Sequence, residues 1–154
     1  MIGVQANFTF VDNQGVGNSG VTVVSGDGST NQDGNITFTD LPLEGFSDKA
    51  YNFVLMYEKQ QFSGRLAYNW RDDYLISQAD CCIKLPIWQD AYGQLDASFH
   101  YKPTDSWDVF LDVQNLTEQD TVLRQQVTNE GLTLPRSWFT NDMRLSLGVR
   151  YRIQ

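Results

Sequence analysis

Residues 143–153 alternate between apolar and polar without a break. Met143, Leu145, Leu147, Val149, Tyr151 and Ile153 fall on one parity, with Arg144, Ser146, Gly148, Arg150 and Arg152 between them. A period of two sends the two sets to opposite faces of an extended strand. A helix would mix three arginines into the aliphatic stripe, so this segment reads as a strand. The pattern recurs upstream. Trp107, Val109, Leu111 and Val113 alternate with Asp108, Phe110, Asp112 and Gln114. Gly93, Leu95, Ala97, Phe99 and Tyr101 alternate with Gln94, Asp96, Ser98 and His100. Phe62, Gly64, Leu66, Tyr68 and Trp70 alternate with Ser63, Arg65, Ala67, Asn69 and Arg71. Tyr51, Phe53, Leu55 and Tyr57 share a face, although Val54 and Met56 blur the other. Val4, Ala6, Phe8 and Phe10 alternate with Gln5, Asn7 and Thr9. The reading is all-β, with six strands and no helix.

The connections alternate in length. Long polar stretches, 11–49, 72–90 and 118–141, are separated by tight turns at 58–61 and 102–106. A soluble sandwich has mostly short loops at both ends. Long and short in alternation is the habit of an antiparallel up-and-down transmembrane β-barrel, whose loops are long on one side of the membrane and short on the other. In such a strand one face meets lipid and the other a polar lumen. Tyr57, Phe62, Tyr101, Trp107 and Tyr151 all lie on the apolar parity beside the short turns or the chain end. They read as a girdle of rings at the headgroup level. Leu111 and Leu147 read as lipid-facing between the membrane surfaces. Six strands cannot close a membrane barrel, and an open edge in lipid leaves backbone groups unpaired. Further strands are therefore expected beside 4–10 and 143–153.

Composition narrows the function classes. The chain of 154 residues carries 11 Lys and Arg against 19 Asp and Glu, for a net charge of −8. An acidic chain lacks the basic stripe that nucleic acid requires. Charged residues make up only 19%, below the roughly 25% of soluble domains. No run approaches the roughly 18 apolar residues of a spanning helix. The start, MIGVQANFTF, has neither the basic nor the apolar region of a signal peptide, which leads us to expect that the beginning of a longer chain lies upstream.

Cys81 and Cys82 are adjacent, and a bridge between neighbours is geometrically disfavoured, so they read as two thiols in a loop. No Cys or His lies at zinc-ligand spacing. The stretch 26–35 is rich in Asp, Asn and Gly, but taken from Asp27 it fails the calcium-loop pattern, with Ser29 third and Gln32 sixth. His100, the one histidine, reads as a lumen-lining side chain. No nucleophile elbow, paired carboxylate or metal cluster stands out, so neither an enzyme nor a cofactor is expected.

The order and spacing of several segments resemble the C-terminal end of TonB-dependent outer-membrane receptors. They are Leu41-Pro-Leu-Glu-Gly45 leading into Lys49-Ala-Tyr-Asn52, Tyr57-Glu-Lys59, and Phe62-Ser-Gly-Arg-Leu-Ala-Tyr-Asn-Trp-Arg71. Asp90-Ala-Tyr-Gly-Gln-Leu-Asp96, Asp112-Val-Gln-Asn-Leu-Thr117 and Leu147-Gly-Val-Arg-Tyr-Arg152 follow. The resemblance implies that residues 1–154 are the last strands of a barrel of about 22 strands with a plugged lumen. It implies a plug domain and a TonB-contacting segment upstream, and as partners the TonB complex, outer-membrane lipid and a small solute. It places the chain in the outer membrane of a Gram-negative cell. The solute would be a siderophore, an oligosaccharide or a similar molecule. One departure is the ending, Arg152-Ile153-Gln154, where such receptors carry an aromatic residue.

Ligand contacts are sought at the long-loop ends. Arg71, Asp72 and Asp73 adjoin at the top of a strand, as ligand contacts or as a surface ion pair. Trp88 lies in the second long loop, and Arg136, Trp138 and Phe139 in the third. Large rings on loops suit stacking on a sugar or an aromatic chelate, and suit packing between loops equally. The competing reading is a soluble β-sandwich that binds carbohydrate through Trp70, Trp88 and Trp138.

Overall fold

The structure is a computed structural model describing residues 1–13, 15, 17–20, 23–24, 30–31, 37–80 and 84–153, with 20, 23–24 and 30–31 described by backbone alone. Cys81, Cys82, Gln154 and most of the 26–35 stretch lie outside the described residues. The described residues are all-β. The first strand is β1 (Ile2–Phe10), followed by the short strands β2 (Gly17–Gly20), β3 (Val23–Val24), β4 (Thr30–Asn31) and β5 (Thr37–Leu41). Next come β6 (Lys49–Lys59), β7 (Phe62–Arg71), β8 (Tyr74–Ser77) and β9 (Ile87–Gln89). The remainder are β10 (Tyr92–Thr104), β11 (Trp107–Gln114), β12 (Thr121–Gln126), β13 (Thr133–Phe139) and β14 (Arg144–Tyr151).

The six strands expected from alternation are the six long ones, and they form one antiparallel sheet in the order β1-β6-β7-β10-β11-β14. Each neighbours the next in chain order, which is the up-and-down arrangement. The register carries one parity across the whole sheet. Val4 faces Leu55, Leu55 faces Leu66 and Leu66 faces Ala97. Ala97 faces Val113, and Val113 faces Leu145. A slip of one residue would turn any strand's apolar set to the other face, so the shared parity fixes the register. The sheet does not close on itself. Among the described residues β1 and β14 pair on one side only. The wall is a single sheet, not two sheets stacked on a common core, which removes the sandwich alternative.

Burial in this wall is inverted. Leu147 is 71% exposed and Phe8 68%, whereas the buried side chains of the wall, Val54 and Ala67, sit opposite each other on the polar face. The two side chains that blurred the sequence pattern are thus accommodated: Val54 is buried against the sheet, and Met56 extends over Gly3. Phe110, also on the polar face, lies across Gly148 of the neighbouring strand. A Cβ on Gly148 would come 2.2 Å from that ring, so the glycine leaves room for it.

The tight turns differ in detail from the sequence reading. The first narrows to Gln60 and Gln61, with Gln60 left-handed at φ 52°. The second narrows to Asp105 and Ser106, because β10 runs on through Pro103 to Thr104. The register shifts between Tyr101 and Thr104. Proline has no N–H for a ladder, and an irregularity of this kind is where a sheet admits one.

The long stretches, read as polar loops, contain the other eight strands. Parts of the second and third pair into a four-stranded sheet ordered β13-β12-β9-β8. Within the first stretch β2 pairs with β5 and β3 with β4. Phe38 and Leu41 of the first stretch and Leu75 of the second form a buried cluster, with Leu85 and Trp88 packed against it. These segments cap the wall at one end as a small, conventionally packed layer.

Candidate functional site

The apolar face of the wall carries two belts of rings. At the turn end, Phe62 stacks on Tyr101 with centroids 4.7 Å apart, and Trp107 meets Tyr151 at 4.7 Å. Tyr57 lies on the same face, exposed. At the cap end a second belt appears, which the sequence reading did not single out. Tyr51 stacks on Trp70 at 4.9 Å and contacts Tyr68 at 5.9 Å. Phe8 faces Tyr51 across β1 and β6. Phe62 and Trp70 are eight residues apart on β7, roughly 26 Å along the strand. Tilted by about 40°, that separation becomes roughly 20 Å, near the height of the lipid-facing band of a membrane barrel. Leu111 and Leu147 face each other between the belts.

The polar face carries the carboxylates, the arginines and the histidine of the wall strands. His100 Nδ1 lies 3.1 Å from Asp108 Oδ1, and Arg150 approaches the same carboxylate at 3.8 Å. Toward the cap end the polar face holds a row of side-chain amides. Asn7 faces Asn52, Asn52 faces Asn69, and Asn69 faces Gln94. Asn52 Nδ2 donates to Asn69 Oδ1. Tyr92 Oη donates to Gln94 Oε1 at 3.0 Å, while Gln94 Nε2 donates to Asp96 Oδ1 at 2.7 Å. Asn7, Asn69, Gln94 and Asp96 were legible as polar parity, whereas Asn52 lies on the face that Val54 and Met56 blurred. Their alignment in one line across the sheet depends on register across four strands, which a single sequence does not display. A hollow of about 400 Å³ lies over the row.

The seven ligand-contact candidates fall in separate places. Arg71, at the end of β7, is held by Ser47 and by Gly45. Its Nε donates to Ser47 Oγ at 2.9 Å and its Nη2 to the Gly45 carbonyl at 3.1 Å. Its guanidinium sits 3.8 Å over the Tyr74 ring. Asp72 and Asp73 form the step from β7 to β8. Asp72 N donates to the Lys49 carbonyl, and Asp73 N donates to Asp72 Oδ1 at 3.1 Å. Partial burial, then the adjoining Asp72 carboxyl, holds the Asp73 carboxyl above the usual range. Trp88 on β9 packs against the cap cluster, and its Nε1 donates to Gln126 Oε1 at 2.8 Å. Arg136 on β13 pairs with Asp80 at 2.8 Å. Trp138 and Phe139 end the same strand and stay exposed, Trp138 at 61%. The first three are neighbours, and Trp88 is near them through the β8–β9 pair. Trp138 and Phe139 lie on the outer strand of the cap sheet, beyond β12.

The Asn115-Leu-Thr segment ties wall to cap. Asn115 is buried and left-handed at φ 54°, a conformation asparagine tolerates better than most residues. Its N–H donates to Asp96 Oδ1 at 2.9 Å, its Nδ2 to the Asn141 carbonyl at 2.5 Å, and its Oδ1 accepts from Gln119 N at 2.9 Å. Among the described residues no group of three or more His, Cys, Asp or Glu side chains could hold a metal ion.

A family model described as "TonB dependent receptor-like, beta-barrel" matches residues 2–116, well over half of the chain. The match spans β1 through β11, and β14 continues the same sheet by pairing with β11. No curated protein and no solved structure is similar enough to count as a match.

Proposed function

The chain belongs to the TonB-dependent receptor β-barrel family, and from that premise we propose that it supplies part of the wall and outer loops of a larger barrel for TonB-energised solute uptake. The family is one of outer-membrane transport receptors rather than enzymes. The observation that carries the reading is the six-stranded sheet with one unbroken apolar face, ringed by aromatic belts, and two unpaired edges. Acyl chains would cover that face, since contiguous exposed apolar patches on soluble monomers seldom exceed a few hundred Å². Further strands would meet β1 and β14, because an unpaired edge is not viable in lipid. A barrel of about 22 strands provides them. The polar face would line the lumen, and the cap would face the medium. In this arrangement a plug and a TonB-contacting segment from the same receptor would complete the transporter. A small solute would enter past the cap.

The test is to fractionate cells that produce the receptor and to crosslink it to TonB. The receptor should sediment with the outer membrane, shift in gel mobility when boiled, and give a TonB adduct. Recovery as a soluble monomer, or an outer-membrane protein that never meets TonB, would overturn the reading.

A further inference from the structure

We propose that the amide row Asn7–Asn52–Asn69–Gln94 is a binding site for a neutral oligosaccharide, which sets the substrate class of the transport reading above and rests on it. Four adjacent strands present a carboxamide in one line across the polar face. With strands about 4.8 Å apart, the row extends roughly 14 Å, the reach of a few sugar rings. A carboxamide offers two donors and an acceptor and no charge. A sugar hydroxyl likewise donates and accepts, so a row of amides can match a row of hydroxyls without desolvating an ion.

The row is partly set before any ligand arrives. Tyr92 and Asp96 hold the two ends of the Gln94 amide, at 3.0 Å and 2.7 Å, which decides where its oxygen and nitrogen point. Asn52 and Asn69 are joined by their own hydrogen bond. The hollow over the row, about 400 Å³, also takes in Thr9 and Tyr92, one step toward the cap. Volumes of this order suit small ligands, and Tyr92 offers a ring edge beside the amides. Arg71 lines the same rim, but two of its nitrogens are engaged by Ser47 and Gly45 and its plane covers Tyr74.

Charge argues against an anionic ligand. The three long connections, residues 11–48, 72–91 and 115–143, carry fourteen Asp and Glu against three Lys and Arg. The remaining residues carry five against eight. The net charge of −8 thus divides into strongly acidic connections and a mildly basic set of wall strands. A like-charged rim repels anions before contact, so ferric complexes of net negative charge and acidic glycans meet a barrier that a neutral glycan does not.

The experiment measures binding to the purified receptor in detergent by calorimetry. The probes are neutral malto-, xylo-, manno- and galacto-hexaose, with hexagalacturonate and ferric citrate as anionic comparators. At least one neutral hexasaccharide should bind at least tenfold more tightly than either comparator. Asn52→Leu with Asn69→Leu should weaken it tenfold or more, the loss of about two neutral hydrogen bonds. Gel mobility of the unboiled protein should not change. If the leucine pair does not assemble, Asn69→Ser alone should weaken binding by about threefold. An anionic probe bound best, no neutral probe bound, or affinity indifferent to these substitutions would each overturn the proposal. Binding in detergent needs no TonB. A receptor that fails to crosslink TonB yet binds the neutral probe would sink the transport reading alone. One that crosslinks TonB and prefers ferric citrate would sink the site alone.

Discussion

The wall and the cap obey opposite rules within one chain. In the wall, large apolar side chains point outward, and the buried side chains, Val54 and Ala67, belong to the polar face. In the cap, Phe38, Leu41 and Leu75 are buried together, as in any water-soluble domain. The difference is one of solvent. A hydrophobic core forms where water must be excluded, and the cap forms one. The wall needs only saturated backbone hydrogen bonds and an apolar exterior, because its exterior is not water. Wall strands are consequently long and regular, whereas cap strands are short and broken by shifts of register, as between Leu123 and Arg124 opposite Pro135.

The largest expected effect separates the two regions. Phe38→Ala removes a fully buried ring from the cap, at a cost of about 3–5 kcal/mol. Protease should then cut the long connections faster, while the unboiled receptor keeps its compact gel mobility. Loss of both together would mean that wall and cap are one cooperative unit. The next effect separates the two faces of the wall. Leu147→Arg, and likewise Leu111→Arg, should cost roughly 2–4 kcal/mol, the value for a cation on the lipid face near mid-bilayer. Ser146→Arg, one residue away on the polar face, should be mild. Urea unfolding of the receptor in lipid vesicles measures both, and equal damage would refute the assignment of faces.

A third substitution tests the joint. Asn115→Ala strips three side-chain hydrogen bonds from a buried position and forces a left-handed φ on alanine, costing about 1–3 kcal/mol. Asn115→Gly keeps the backbone freedom and should lose less. If the two variants behave alike in the same urea titration, backbone conformation is not what asparagine supplies there.

The same contrast explains what could be read in advance. The wall was legible because a two-residue period written over ten residues leaves a helix no consistent face, and the rings beside the short turns share its apolar parity. Leu111 and Leu147 share that parity and face each other. The cap was not legible. Strands as short as Ile87–Gln89 carry no countable period, and Pro135 argues against the strand that β13 forms at a sheet edge. The amide row sat in plain view as four polar residues, yet only the pairing of β1, β6, β7 and β10 lines them up. Trp88 shows the reverse case, since its type suggested a ligand platform or packing and its neighbours give it a place in the cap cluster.

The smallest effect probes electrostatics where cap meets wall. Asp73 is partly buried and adjoins Asp72, and both influences raise its pKa, burial more than the neighbour. With the folded value above the unfolded one, the fold favours the protonated form. That contribution is complete below the ordinary aspartate range and is lost as pH rises through the raised value. At neutral pH the ionised Asp73 therefore weighs against the cap, and solvent on its exposed side keeps the penalty small. Asp73→Asn removes the titration while keeping the shape. The variant's cap should resist protease slightly better than the parent at pH 7, and the advantage should fade as pH falls toward the ordinary aspartate range. A variant that is weaker at pH 7, or an advantage that does not change with pH, would show that Asp73 is held by contacts that favour its charge.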